Sequence, residues 1–339
     1  MADRDPTIYE VAQRAGVSIS TVSLALNQPT RVTSPTRERI LAAADELGFV
    51  PKVRAVTQAR RGLGRIAAVA PFTSYPSFSR RLAGALTELA DDGTQLFVVD
   101  TKDIAVSDSP VLASMPVRGH VDGVLIFGVL MEDTIARRLK ERLPTILLDT
   151  SFPGLPSISV DFREGGRIAG RHLRELGHRH VAFVNETERF KFDSPATLLI
   201  AGLRDVMGYD AVHEYVVPRG TDGGRLGVDA VLAEPDEPTT AIMAVRDLLA
   251  IGAVAELRRR GVRVPEDMSV VGFDDDPVAE ALGLTTVRHP FEESGRLAVR
   301  ALRERLESPG KEIADRRLEL ALKARETTGP PPGCPLALR

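Results

Sequence analysis

Four short polar side chains, Ser18, Thr21, Ser23 and Asn27, crowd into the stretch AGVSISTVSLALN at residues 15–27. On one helix, such hydroxyl and amide groups can hydrogen-bond a phosphate backbone, and their small size lets the helix come close to it. Ile19, Ser20 and Leu24 take neighbouring positions, where base edges would be met. Other clusters promise less. Asp274, Asp275 and Asp276 are successive, cannot all face one ion, and precede Pro277, which marks a loop; no cation is expected there. His172, His178 and His180 surround a helix C-terminus, where they suit the helix dipole and capping of carbonyls better than zinc. The GLGRIA segment at 62–67 has dinucleotide-like glycine spacing but precedes a strand, so it cannot cradle a pyrophosphate at a helix start. Neither a G-x-S-x-G elbow nor H-E-x-x-H is present, and no catalytic group, cofactor or metal is expected.

The elements that position the first cluster can be traced residue by residue. Thr7 followed by Glu10 is a capping-box start, and Ile8, Val11, Ala12 and Ala15 fall on one face. Gly16 stops that helix, Ser18 caps the next, and Val22, Ala25 and Leu26 turn inward. A third helix starts at Ser34-Pro35 and stops at Gly48. Helix, four-residue turn, helix is the layout that lays a second helix in a DNA major groove; a three-helix protein-interaction domain has the same outline. Residues 51–64, PKVRAVTQARRGLG, are basic and poor in large apolar groups, as a linker is.

From Arg65 the pattern alternates between strand and helix as far as Asp276, which builds parallel sheets covered on both faces. The alternation is too long for one sheet, so two lobes are expected, with ligand sites at strand carboxyl ends. The expected domains are a headpiece over 1–50, a linker over 51–64, a core over 65–329 and a loose tail over 330–339. Within the core, lobe 1 takes about 65–160 and 288–310, and lobe 2 about 161–287 and 311–329.

Charge is uneven. Residues 1–65 hold ten Lys/Arg against six Asp/Glu, while the remainder holds 34 against 41. A basic head on an acidic body aims one end of a protein at polyanions. The single cysteine, Cys334, excludes an internal disulfide and suits a reducing compartment. No apolar run is long enough to span a bilayer, the opening MADRDPTIYE lacks a signal-type apolar core, and a cytoplasmic location is expected.

TIYEVAQRAGVSISTVSLALN and RVTSPTRERILAAADELGFVPK resemble the headpiece of the lactose/galactose-repressor family, and the resemblance continues through LGHRHVAFVN, PTTAIMAVRDLLAIGAVAELRRRGVRVPEDMSVVGFDDDP, TTVRHPFEESGRLAV and LELALKARET. It implies an α/β fold class: a three-helix helix-turn-helix headpiece on a two-lobed core like a periplasmic sugar-binding protein, with two parallel doubly wound sheets. It further implies a homodimeric repressor that binds a pseudo-palindromic operator under control of a small effector. Carried over by position, Ile19, Ser20 and Leu24 are base readers, and Ile8, Ser18, Thr21, Ser23, Asn27, Thr33, Thr36 and Lys52 are phosphate contacts. Arg54 and Gln58 belong to the hinge. Leu24 departs from the basic residue common in the family; it can meet a thymine methyl but cannot bridge a guanine. Gln58 stands where the family usually inserts leucine into the minor groove, which predicts a smaller bend or a substitute wedge from Val56.

The resemblance also assigns Phe72, Asp149, Asp161, Leu199, Arg246 and Asp274 to the effector site. Leu199 replaces a ligand-clamping arginine and Arg246 replaces an asparagine. Two outcomes stay open: an anionic effector paired with Arg246, or internal pairing of Arg246 with an acid such as Asp274. A transporter's solute-binding protein and a sugar-modifying enzyme share the core. The first would need a signal peptide, and the second a placed acid–base pair.

Overall fold

The computed structural model describes residues 6–49, 64–73, 75–91, 93–101, 105–106, 109–118, 120–187, 194–234, 239–308 and 310–333. The helices are α1 Ile8–Ala15, α2 Ile19–Asn27, α3 Ser34–Leu47, α4 Pro76–Leu89, α5 Pro110–Arg118, α6 Asp133–Arg142, α7 Phe162–Leu176, α8 Pro195–Met207, α9 Gly220–Leu232, α10 Asp247–Arg259, α11 Pro277–Ala281 and α12 Phe291–Glu307. The strands are β1 Arg65–Ala70, β2 Gln95–Asp100, β3 Ala105–Val106, β4 Gly123–Phe127, β5 Leu130–Met131, β6 Thr145–Leu148 and β7 Ser157–Val160. They continue as β8 Val181–Glu186, β9 Val212–Val217, β10 Ala241–Ala244, β11 Ser269–Asp274, β12 Thr285–Arg288, β13 Arg316–Leu318 and β14 Ala321–Lys323.

The chain divides into two compact units, Met1–Ser159 with Phe291–Arg316, and Val160–Pro290 with Arg317–Arg339. The first sheet has the order β13-β7-β6-β4-β1-β2, and β1, β2, β4, β6 and β7 run parallel. The second has the order β14-β12-β11-β10-β8-β9, parallel except for β14, which pairs antiparallel with β12. The central strands β4, β6, β10 and β11 are buried throughout. That is the signature of a parallel sheet covered on both faces.

Helix packing around the second sheet is backbone to backbone. A Cβ on Gly166 would lie 1.9 Å from the Leu199 carbonyl oxygen, and one on Gly202 would lie 1.8 Å from that of Arg163. Glycine at these two positions is what lets α7 and α8 touch. In the first unit, the apolar side chains of α1–α3 merge with those of α5, α6 and one face of the sheet into one cluster.

The headpiece helices form for the reasons their caps suggest. The Thr7 amide donates to Glu10 Oε2 at 2.6 Å, and Gly16 ends α1 at φ +65°. Val11, Ala12, Ala15, Val22, Ala25 and Leu26 are buried. One cap is shifted. Helix α3 begins at Ser34 itself, so Thr33 takes the extended N-cap conformation and Pro35 falls inside the first turn.

Candidate nucleic-acid interface and ligand-binding residues

Ser18 fixes the start of α2. Its hydroxyl accepts the Thr21 amide at 3.1 Å and lies 2.7 Å from both the Ser20 and Thr21 hydroxyls. At the other end, the Asn27 amide donates to Ser23 Oγ at 3.2 Å. Thr33 donates to Thr36 at 3.1 Å across the start of α3. These hydroxyls and amides bond one another and can exchange those partners for phosphate oxygens. Ser18, Ser20 and Ile19 are exposed, and Ile19, at 41%, is unusual for so apolar a side chain. Leu24 and Ile8 are half-buried and pack partly on the headpiece core. A hydrocarbon side chain cannot bond phosphate, so any phosphate contact at Ile8 belongs to its backbone. Lys52, Arg54, Val56 and Gln58 lie outside the described residues.

The headpiece is clasped by helices of its own unit. Arg138 on α6 donates to Asp45 Oδ2 at 2.7 Å and Glu38 Oε2 at 3.1 Å. Arg142 donates to the carbonyls of Ala44, Asp45 and Phe49 at 3.2, 3.0 and 3.3 Å. The first two belong to the last turn of α3 and also accept the Phe49 and Gly48 amides, and a cation there suits the helix dipole. Arg118, the last residue of α5, donates to the Asn27 carbonyl at 3.0 Å.

The assigned effector residues separate by unit. In the first unit, Phe72 is half-buried and meets Phe127 edge-on, with centroids 6.0 Å apart. Asp149 follows β6 at φ +50° and pairs with Arg81, which is buried over the Phe291 ring. In the second unit, Asp161 caps α7 by accepting the Glu164 amide at 3.0 Å and lies 3.5 Å from Arg317. Asp274 ends β11 at φ +119°. Strained non-glycine backbone at strand carboxyl ends is where ligand sites concentrate.

Arg246 is paired internally. Its Nε lies 3.2 Å from Glu186 Oε2 and its Nη1 3.4 Å from Asp274 Oδ2. Arg219 Nε lies 3.9 Å from the same Glu186 oxygen. The strand ends of the second unit therefore carry a row of alternating charge, Arg219, Glu186, Arg246, Asp274. Behind it, the buried Asp247 accepts from the Thr286 hydroxyl at 2.6 Å and the Asp276 amide at 2.7 Å. Burial and the Asp274 carboxylate push its carboxyl well above the ordinary value.

Leu199 needs correcting. It is 1% exposed and belongs to the apolar core of the second unit, with Gly165 and Phe273 among its neighbours. A long arginine at this position can extend out of the core; leucine collapses into it. Glu186, Arg219 and Asp247 escaped the sequence reading. Glu186 is the last residue of β8, at the carboxyl end where a ligand group is looked for. The histidines also behave differently from the expected caps. His172 Nε2 meets Thr328 Oγ1 at 2.9 Å, and His178 contacts Thr240, Ser269 and the Gly329 carbonyl at 2.8, 3.0 and 2.9 Å. Burial lowers the pKa of both, so they are neutral tethers for the terminal segment rather than cationic caps. Among the described residues, no cluster is placed to hold a metal, and no helix is long and apolar enough to cross a membrane.

Residues 7–52 match the family of bacterial regulatory proteins of the lacI type, and residues 170–328 match the periplasmic binding protein-like domain. The HTH-type transcriptional regulator DegA of Bacillus subtilis is 32% identical over 309 residues, covering 85% of this chain and 88% of that protein. A transcriptional regulator CelR–cellobiose complex superposes with a TM-score of 0.64 at 29% identity, over 95% of this chain and 99% of that one. The lac repressor dimer bound to operator and the anti-inducer ONPF gives 0.65 at 26% identity, over 96% and 100%. With its capped helix pair, its two parallel sheets and these relatives, the chain belongs to the lacI family, the DNA-binding transcriptional regulators with an effector-binding core.

Proposed function

We propose that this regulator is a repressor that binds a pseudo-palindromic operator as a homodimer and is controlled by a sugar-like effector held by the strand-end residues of its core. The observation that carries the DNA reading is α2. Ser18, Ile19 and Ser20 stand exposed on a helix whose first turn is fixed by its own hydroxyls. Two-fold symmetry of the protein would be mirrored in the operator. The dimer is supported by apolar surface on both units. Phe97 and Val98 are 47% and 51% exposed on β2, the edge strand of the first sheet. Val278 and Leu282 are exposed at α11. Unpaired edges and clustered apolar side chains of this kind mark association surfaces.

Charge balance supports a neutral, polyhydroxylated effector over an anionic one. Arg246 already faces two carboxylates, so an anion would have to displace one of them. A hydroxyl can accept from the guanidinium and donate to a carboxylate without upsetting that balance. Such an effector changes DNA affinity only if it prefers one geometry of the core. With its function on chromosomal DNA, the protein is assigned to the cytoplasm.

Selection of bound fragments from randomised DNA, at near-physiological salt, tests the reading. A symmetric consensus is expected, and the base preferences at its half-sites report what Ile19, Ser20 and Leu24 accept. Weak, salt-sensitive enrichment without symmetry would overturn it.

A further inference from the structure

The tip of α5 carries a cationic group that the DNA reading above does not use. Arg118 ends the helix, His120 follows in the next turn, and Arg65 opens β1 beside them. The Arg65 carbonyl accepts the Asp122 amide at 2.6 Å, which holds the two segments together. Among the described residues, none of the three side chains has a carboxylate partner. The one acid close by, Asp122, turns its carboxylate to the Arg65 backbone amide at 2.8 Å. Arg118 uses Nη2 on the Asn27 carbonyl, and its buried Nε has no partner among the described residues. His120 Nε2 lies 3.5 Å from Asn27 Oδ1. Elsewhere in this chain arginines are matched by acids, as at Arg138, Arg163 and Arg246. Here three basic groups gather unmatched, and two of them, Arg118 and His120, meet the same Asn27 whose amide reaches Ser23.

We propose that Arg65, Arg118 and His120 form a phosphate-binding site of the core, which extends past Asn27 the backbone track that begins at Ser18, Thr21 and Ser23. The ligand is the phosphate backbone of the same duplex, so the proposal rests on the DNA reading above. The placement suits it. The cluster adjoins the C-terminal end of α2, whereas the exposed base-reading positions lie at its N-terminal end. A phosphate there would supply the counter-charge that the protein withholds. Burial, then Arg118 and Arg65, hold the His120 pKa below its ordinary value in the free protein. A bound phosphate reverses the sign of that field, so binding takes up a proton at His120. By linkage, DNA affinity rises as pH falls through the histidine range.

The test uses the full chain on its selected operator, with affinity measured by fluorescence anisotropy against salt and against pH between 6 and 8. Arg118→Gln is expected to lower the slope of log affinity against log salt by about one, the value of one lost phosphate contact. His120→Gln is expected to flatten the pH dependence, and His120→Lys to bind tightly at every pH. A purely structural role at the Asn27 seam would weaken binding with the salt slope unchanged. The proposal is overturned if the wild type selects an operator yet both glutamine variants keep its salt slope and its pH dependence. A wild type that selects no operator overturns the DNA reading itself, and this site with it.

Discussion

Helix α2 and the charge row of the second unit orient polar groups in opposite ways. On α2 the groups are short, neutral and largely exposed, and they hold one another through hydroxyl and amide bonds. Along the strand ends of the second unit they are charged; Asp274 and Glu186 are buried, and each is fixed by an opposite charge. A neutral hydroxyl can change partner at small desolvation cost. A buried ion cannot lose its partner without leaving the other charge stranded. The first surface should therefore tolerate single substitutions, and the second should not.

The contrast is sharpest at Asp274. Asp274→Ala removes one of the two acids that flank Arg246 and leaves an arginine half matched. A loss of about 3 kcal/mol in effector affinity, roughly 100-fold, is expected, while DNA binding without effector is unchanged. Titrating candidate neutral sugars against the protein–operator complex measures both. A variant that responds to sugar like the wild type would break the comparison, because the charge row would then be no part of the effector site.

On the DNA side, Leu24→Arg should be accepted by the fold, since Leu24 is only half-buried at the edge of the headpiece core. It should change the preferred base rather than abolish binding. Gain of a bidentate contact to guanine is worth about 1–3 kcal/mol of discrimination at one position of each half-site. Repeating the randomised selection with the variant reads this directly. An unchanged consensus would mean that residue 24 does not face the bases.

How far the sequence foretold these regions follows from the same contrast. The headpiece was legible because its signals are local: Thr7 with Glu10, Gly16 and Ser18 act within one turn of themselves. The two parallel sheets were legible from strand–helix alternation. The charge row was only half legible, because Glu186, Arg219 and Asp247 come together from three separate strand ends. Helix α5 carries Pro116 inside it, and α12 carries Gly295, residues that argue against a helix when seen in isolation. A Cβ on Gly295 would lie 2.0 Å from the Arg81 carbonyl oxygen. Its glycine serves the approach of α12 to α4, a tertiary demand invisible along the chain. Leu199 misled for the converse reason: its position matched a family site, while its own chemistry sent it inward.

A smaller effect tests the claim that α2 is held by its own hydroxyls. Ser18→Ala removes the acceptor of the Thr21 amide. The helix should lose about 1 kcal/mol, the usual worth of a serine N-cap. Amide exchange across α2 should quicken while the second unit is unaffected. Equal protection in the variant would place the ordering of that helix elsewhere.

In the second unit, two titrating sets oppose each other. His178 and His172 have pKa values below the ordinary 6.5, because burial disfavours their charged forms. The unfolded chain then binds more protons than the folded one as pH falls below 6.5, so the stability these histidines provide is complete above that value and is lost on acidification. Asp247 has the opposite sign. Its raised pKa means that the folded state takes up a proton first, so falling pH through its titration favours the fold. Thermal unfolding between pH 7.5 and 5.5 reads the histidine loss, offset to the extent that Asp247 takes up its proton, so a small net change is expected. His178→Gln separates them. It lowers stability at pH 7.5 by weakening the tether to Thr240, Ser269 and Gly329, but it removes one proton-linked group and should make stability fall less on acidification than in the wild type. Parallel pH curves for the two proteins would mean that His178 accepts its proton without leaving its partners, and that the terminal segment is held by Thr327 and Thr328 instead.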